Sequence, residues 1–186
     1  MRLFVDNLSN IDFSFLHPRR GLVGETWLAS IELVGELDDQ GMVVDFGVVK
    51  RMIRDFLDDE IDHRLLVPTD SHCVKIHADE TETTVRWTVD KEVLQTQSPH
   101  QAIALINAEV VTAESLAKHC VQKLMPAFPS SVKKILISFT PEHIEGPYYH
   151  YSHGLKKHAG NCQRIAHGHR SRILIWQDQE LSETLM

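Results

Sequence analysis

Histidine is concentrated towards the C-terminal end of this 186-residue chain, where six of its twelve histidines lie between positions 143 and 169. A single glycine separates His167 from His169. In a strand, imidazoles at such positions lie on one face, about 6 to 7 Å apart along the backbone. His153 can reach the same point if it lies on a neighbouring strand joined through residues 156–161. Three imidazoles that leave one coordination position open are the ligand set of a catalytic zinc.

The spacing leaves other assignments of these residues open. His150 or His158 could replace His153 as the third ligand, and the segment also fits a polar, histidine-rich loop that binds no metal. Cys162 lies between the candidate ligands. Because a thiol beside a divalent metal or a histidine ionises more readily, Cys162 is a candidate base or nucleophile. It equally fits a fourth zinc ligand or an inert surface thiol.

A second candidate for proton transfer is the adjacent pair Asp62 and His63. The two side chains can act together only if both turn into one pocket, where the carboxylate would fix the tautomer of the imidazole. Most such dipeptides simply mark the end of a helix. The role of this pair therefore depends on the fold.

The elements that must position these residues follow from the hydrophobic pattern. Alternating residues over 11–15 and 26–34 predict the two strands of a hairpin. The pattern then takes a helical period and predicts a helix over 46–59, capped by Asp45. A second helix opens at Thr112, and Pro126 stops it.

The rest of the chain is predicted to complete a sheet. Strands are expected at 133–140, 148–152 and 172–176, and residues 70–107 are interpreted as an insertion that contains a small hairpin. This order predicts an α+β fold, in which two helices pack on one face of an antiparallel sheet. Residues 1–140 would form the main unit, and 141–186 would form a second hairpin that carries the His/Cys motif.

Composition narrows the class of protein. With 42% hydrophobic and 24% charged residues, the chain matches a globular domain with a sizeable core. Its net charge of −7 argues against nucleic acid as the main partner. The sequence shows no membrane-spanning run and no signal peptide, and three widely spaced cysteines do not suggest a disulfide framework, so we expect a cytoplasmic protein.

Four stretches of the sequence together resemble the 6-pyruvoyltetrahydropterin synthase and 6-carboxytetrahydropterin synthase family. The most specific is Tyr-Ser-His at 151–153 followed by Cys-Gln-Arg-Ile-Ala-His-Gly-His at 162–169. The other three stretches are Gly-Met-Val-Val-Asp-Phe at 41–46, Ile-Asp-His-Arg-Leu-Leu at 61–66 and Val-Thr-Ala-Glu-Ser-Leu-Ala at 111–117.

The resemblance implies a tunnelling fold, whose subunits assemble into barrels with active sites at the interfaces, and hence a homo-oligomer. It also implies a role for each candidate residue. These roles are zinc on His153, His167 and His169, a general base at Cys162, and a proton-transfer pair at Asp62 and His63.

The substrate implied by the resemblance is a pterin, 7,8-dihydroneopterin triphosphate. A 6-carboxytetrahydropterin synthase releases triphosphate and acetaldehyde from it on the route to 7-deazaguanine and queuosine. The same residues serve the pyruvoyl-forming reaction, so the sequence does not separate the two. A degenerate relative that binds a pterin or a partner without catalysis is a further hypothesis, and a metal-dependent hydrolase of an unrelated substrate is another.

The sequence departs from the family pattern in the placing of its metal hairpin, which normally comes first and here comes last. Residues 13–17 and 21–27 look like the usual hairpin without its cysteine, and Val23 and Glu25 replace its two later ligands. We interpret this as a tandem-like arrangement, in which a hairpin without a metal site precedes an intact one.

The pterin anchor departs from the family pattern as well. In the family a strand-borne glutamate holds the pterin ring, with help from the threonine that is Thr112 here. Phe139 occupies the position of that glutamate. Glu142 and Glu145 are the nearest substitutes.

Overall fold

The computed structural model of the protein describes residues 1–154 and 166–182. These residues form two α-helices, two short 3-10 helices and a main sheet of five strands, together with smaller sheets. The strands are β1 (Arg2–His17), β2 (Gly21–Gly35), β3 (Leu65–Pro68), β4 (Val74–Ala78), β5 (Glu82–Val89), β6 (Glu92–Pro99), β7 (Ile103–Ile106), β8 (Val132–Pro141), β9 (Tyr148–Gly154), β10 (Ala166–Arg172), β11 (Trp176–Gln177) and β12 (Glu180–Leu181), and the helices are α1 (Phe46–Glu60) and α2 (Ala113–Leu124).

The main sheet has the strand order β7-β3-β1-β2-β8. The long hairpin of β1 and β2 forms its centre, paired antiparallel from Arg2 opposite Val34 to His17 opposite Gly21. The predicted strands at 11–15 and 26–34 are confirmed and lie within it. β8 pairs antiparallel with β2, whereas β3 and β7 join in parallel. The sheet is therefore mixed and not purely antiparallel as predicted.

Both predicted helices are confirmed. The side chain of Asp45 caps α1 by accepting hydrogen bonds from the backbone N–H groups of Gly47 and Val48. Each helix turns an apolar stripe towards the sheet, and those stripes form one core with the strands. The buried helix residues are Val49, Ile53, Leu57, Leu116, Cys120 and Leu124. The prediction of two helices on one sheet face is correct.

The small hairpin predicted in the inserted segment is confirmed, because β4 pairs antiparallel with β5, and a further strand, β6, extends it. The segment forms a three-stranded antiparallel sheet of β4, β5 and β6, whose buried Val85 and Trp87 pack against Leu16 and Leu65 of the main sheet. The third strand, β6, was not predicted because most of its residues are exposed and it has little apolar alternation. Its successor, β7, pairs with β3 and so belongs to the main sheet.

The C-terminal hairpin pairs β9 with β10 over Tyr148 to Gly154 and Ala166 to Arg172. The strand predicted at 172–176 is wrong, because β10 already begins at Ala166 and ends at Arg172, where β9 no longer offers a partner. No helix in the described part of the chain is both long and apolar enough to span a bilayer.

Candidate active site

The end of α1 fixes Asp62 and His63 against β1. The carbonyl of Leu57 accepts the N–H of Asp62 at 2.8 Å, and the N–H of His63 donates to the carbonyl of Asp12 at 2.7 Å. In return, the N–H of Asp12 donates to Oδ1 of Asp62 at 2.7 Å. His63 has a φ of 54°, which is the left-handed region. The chain thus leaves the helix through a tight turn that the main sheet holds in place.

This turn makes a proton-transfer pair geometrically possible. Oδ2 of Asp62 contacts Nδ1 of His63. A carboxylate on Nδ1 favours the tautomer that carries its proton there, so Nε2 becomes the atom that can accept one. The carboxylate of Asp62 is mostly buried, whereas the imidazole of His63 keeps about a third of its surface exposed. The arrangement suits a histidine that exchanges protons with a bound molecule.

The C-terminal hairpin brings two of its histidines to this pair. His167 is 2% exposed, and its ring centroid lies 4.7 Å from that of His63 and 5.2 Å from that of His169. The strand register places residue 153 directly opposite His167. Directly opposed residues share a face of an antiparallel pair, so the three predicted ligand positions lie on one face of the hairpin.

Asp12 joins the hairpin to the turn. Its Oδ1 lies 3.2 Å from Nδ1 of His169 and accepts the hydroxyl of Thr26 at 2.6 Å. A carboxylate that holds one ring nitrogen directs the other, Nε2, towards the face where a metal would bind, which is the usual support for a metal-ligating histidine. The two described imidazoles and this supporting carboxylate therefore fit part of a zinc site.

A second set of donors lies close by. Ligand atoms of Asp12, Asp62 and His63 all lie within 4.8 Å of one another and could hold an ion. Both oxygens of Asp62 are already engaged, with His63 and with the backbone of Asp12. These carboxylates are therefore better suited to orienting the histidines than to binding a metal themselves.

His150 does not fit the role of reserve ligand. It lies opposite Arg170, on the other face of the hairpin from His167. Its Nδ1 lies 2.9 Å from the carbonyl oxygen of Gly24 and 3.3 Å from Oε1 of Glu25. Arg170 approaches the same carboxylate, with Nε 3.5 Å from Oε2. Burial raises the pKa of Glu25, although the neighbouring His150 and Arg170 oppose that rise.

Several predicted site residues are not fully placed. Cys162 and the reserve ligand His158 lie outside the described residues. His153 is described as a position in β9, and its side chain falls outside the description. The site observed here consists of Asp12, Asp62, His63, His167 and His169.

The predicted substrate residues lie on different elements, with Thr112 at the start of α2 and Glu142 and Glu145 after β8. Thr112 is exposed and caps α2, forming a reciprocal pair of hydrogen bonds with Ser115. Glu145 is exposed, whereas Glu142 is half-buried and donates its N–H to the carbonyl of Thr26 at 2.9 Å. Glu142 also accepts Nη1 of Arg170 at its carbonyl. Of the two glutamates, Glu142 is therefore the one whose backbone is attached to the site.

Phe139, at the position of the family's anchoring glutamate, is buried and packs against Trp27, with their ring centroids 6.2 Å apart. A surface depression of about 220 Å³ lies beside it, between α2 and β8. Glu114 contributes to its lining. The sequence interpretation had not assigned a role to Glu114.

Asp12 is the functional residue that sequence reasoning missed. Its one local signal is an acid between Ile11 and Phe13 in the alternating stretch 11–15. That position is ordinary for the exposed face of a half-buried strand. What distinguishes Asp12 is its contacts with Asp62 and His169, 50 and 157 positions further along the chain.

Known proteins resemble this chain in both sequence and fold. Residues 11–144 match the family model for 6-pyruvoyl tetrahydropterin synthase. A relative from Pyrococcus horikoshii, provisionally named 6-carboxy-5,6,7,8-tetrahydropterin synthase, is 28% identical over 114 residues, which are 61% of this chain and 64% of the relative. The chain thus matches less than two thirds of that relative's length.

Solved structures show the same fold. The 6-pyruvoyltetrahydropterin synthase of Plasmodium vivax, as a catalytic-residue mutant, superimposes with a TM-score of 0.61 at 18% identity, over 75% of this chain and 90% of the other. The Plasmodium falciparum enzyme gives 0.61 at 16% identity with the same coverage. These neighbours support the predicted tunnelling fold. The family match, which covers well over half of the residues, shows that the chain belongs to the 6-pyruvoyl tetrahydropterin synthase family.

Proposed function

We propose that this protein is a zinc-dependent pterin synthase of the 6-carboxytetrahydropterin type. In this reaction 7,8-dihydroneopterin triphosphate and water give 6-carboxytetrahydropterin, acetaldehyde and triphosphate. One observation carries the proposal: Asp62 and His63 from the end of α1 meet His167 and His169 from the C-terminal hairpin, with Asp12 between them. The provisional name of the Pyrococcus horikoshii relative favours the carboxy-forming reaction.

His153, His167 and His169 would hold the zinc. When bound there, zinc would polarise the side-chain oxygens of a reduced pterin. The protein's own contribution is to orient the ligands. Asp12 holds Nδ1 of His169 at 3.2 Å, and the hydroxyl of Thr26 fixes the same carboxylate oxygen. This arrangement resists rotation of the imidazole of His169. Such a rotation would move Nε2 away from the proposed metal position.

Proton movement is assigned to Cys162, Asp62 and His63. Asp62 holds Nδ1 of His63, so Nε2 is the atom that takes or returns a proton. Cys162 would act as the general base on the substrate side chain. The contact of His63 with buried His167 brings this proton carrier beside the proposed metal ligands.

The pterin ring would be held by other residues than these. Thr112, with Glu142 or Glu145, is the proposed anchor. Glu142 is favoured because its backbone is bonded to Thr26 and Arg170, next to the site. Glu114 lines the depression beside Phe139 and is an additional candidate for this contact.

The alternative within the family is the pyruvoyl-forming reaction of a 6-pyruvoyltetrahydropterin synthase. Product analysis separates the two, because only the carboxy-forming reaction releases acetaldehyde. A non-catalytic pterin-binding protein would bind substrate without releasing triphosphate. If the carboxy product forms, its expected place is the route to 7-deazaguanine and queuosine.

The test of catalysis is Cys162→Ala in the zinc-loaded protein supplied with 7,8-dihydroneopterin triphosphate. Removing a general base should lower kcat by about 10² to 10⁴-fold. The matched control is Cys73→Ala, which removes a half-buried thiol from the inserted sheet region and should leave the rate unchanged. A Cys162→Ala protein that turns over at the parent rate would contradict the mechanism.

A further inference from the structure

The N-terminal hairpin packs directly against the C-terminal one at two glycines. A Cβ on Gly24 of β2 would lie 1.9 Å from the carbonyl oxygen of Tyr151 and 2.7 Å from Cα of Gly168. A Cβ on Gly168 of β10 would lie 2.4 Å from Cα of Gly24. These neighbours are backbone atoms and cannot rotate away. Only glycine at both positions permits this approach of the two hairpins.

Polar contacts flank the glycine pair. The hydroxyl of Ser14 on β1 donates to the hydroxyl of Ser152 on β9 at 2.7 Å. Nδ1 of His150 lies 2.9 Å from the carbonyl oxygen of Gly24. Because Ser14 lies directly opposite Gly24, both contacts fall at the same level of the N-terminal hairpin. These contacts fix the position of the C-terminal hairpin along the strands, and the glycine pair fixes its distance from the N-terminal hairpin.

Glu25 adds a charge to the same junction. It is 8% exposed, and its two carboxylate oxygens lie 3.3 Å from Nδ1 of His150 and 3.5 Å from Nε of Arg170. The guanidinium of Arg170 also lies over the ring of Tyr148, 4.2 Å from its centroid. A buried carboxylate is tolerated when it is paired with cations or hydrogen-bond donors. Both of these partners belong to the C-terminal hairpin.

We infer that the N-terminal hairpin, in which Val23 and Glu25 stand at the family's metal-ligand positions, is a docking socket for the metal-binding hairpin. Gly24 and Glu25 are positioning residues in this socket, and they set His167 and His169 against Asp12 and His63. Contacts between the two hairpins therefore hold His167 and His169 beside the pair at the end of α1. The inference concerns the zinc site of the proposed function and rests on it for its biological meaning.

Docking matters because a hairpin of two strands is at most marginally stable in water. Without the socket, β9 and β10 would not hold His167 next to His63. Glu25 stands where the family pattern has a metal ligand. In this chain the same position pairs with Arg170, next to His169 in β10.

Two variants test the socket in the full-length protein. Gly24→Ala forces the two backbones apart, and Glu25→Gln removes the buried charge while keeping the side-chain shape. The controls are Gly47→Ala at the start of α1, where a Cβ meets only a side-chain atom at 3.3 Å, and Glu36→Gln in an exposed ion pair with Lys133.

Two readouts are needed. The first is amide hydrogen exchange of the metal-free protein. In both variants, peptides from β9 and β10 should exchange at least tenfold faster than in the parent. The exchange rates of peptides from α1 and β3 should stay the same. The second is zinc affinity measured by competition with a chelator, which should fall about 10 to 100-fold, as it does on loss of groups that orient metal ligands. Both controls should match the parent protein.

The inference is overturned if, in both variants, the amides of β9 and β10 exchange as slowly as in the parent and zinc binds with the parent's affinity. Faster exchange throughout the chain of Gly24→Ala would mean that this variant is globally unfolded, in which case Glu25→Gln alone decides. Exchange of the metal-free protein does not depend on turnover. If the parent protein is inactive but the two variants still loosen β9 and β10, the proposed reaction is refuted and the inference about the docking socket stands.

Discussion

At the scale of single residues, the site depends on an unusual backbone conformation at His63. Its φ of 54° is one that asparagine adopts more readily than most residues with a side chain. The conformation lets its N–H reach the carbonyl of Asp12 while its ring faces His167. Backbone and side chain can thus be tested separately at this position.

We expect His63→Asn to keep the fold and lose the reaction. Asparagine tolerates the left-handed conformation, so the melting temperature should stay close to that of the parent. Loss of the imidazole should lower kcat by about 10² to 10⁴-fold. Circular dichroism and steady-state kinetics check the two halves of this prediction. His77→Asn, an exposed change in β4, serves as the control, and an active His63→Asn protein would exclude His63 from proton transfer.

At the scale of elements, the helix caps show how local chemistry places functional groups. Asp45 caps α1, whose far end delivers Asp62 and His63. Thr112 caps α2 through a reciprocal pair of hydrogen bonds with Ser115. The threonine that the family resemblance assigns to pterin binding therefore also has a structural task.

Thr112→Ala should destabilise the protein by about 1 kcal/mol, because the N–H of Ser115 loses its acceptor. Thr112→Ser keeps the hydroxyl and should retain most of the stability. Urea denaturation of both variants measures the difference. If Thr112→Ala is as stable as the parent, the capping box contributes nothing, and any loss of substrate affinity in that variant would report on binding alone.

At the scale of the whole molecule, the main sheet offers edges for assembly. β8 is a ten-residue edge strand, paired on one side with β2. Beside it the open sheet face carries Phe4 and Leu136, which are 67% and 37% exposed. They lie on either side of Glu32 in register. A long edge strand with neighbouring exposed apolar residues favours pairing with another chain.

We therefore expect a homo-oligomer, as the family resemblance implies. Light scattering after size-exclusion chromatography should give a mass that is a multiple of the 21.2 kDa protomer. Leu136→Glu places a charge on the edge strand and should shift the mass towards one protomer. Val93→Glu, an exposed change in the inserted sheet, should leave it unaltered. A monomeric parent protein at micromolar concentration would contradict the expected assembly.

The sequence by itself determined the features that local patterns encode. The helical period over 46–59, the cap at Asp45, the start of the second helix at Thr112 and the alternation over 11–15 and 26–34 were all predictable. Each depends on residues within a few turns or on one strand. The spacing of His167 and His169 likewise placed them on one face of a strand. The family itself followed from short motifs.

Only the tertiary structure decided how these parts meet. Three features of the site have no periodic signal in the sequence. They are the left-handed turn at His63, the contact of the Asp12 carboxylate with His169, and the approach of Gly24 to Gly168. Each joins segments that are distant in the chain, as Ser14 and Ser152 show with 138 positions between them. Such contacts depend on how the two hairpins pack, and hydrophobic alternation fixes which residues share a face without fixing which strand covers it.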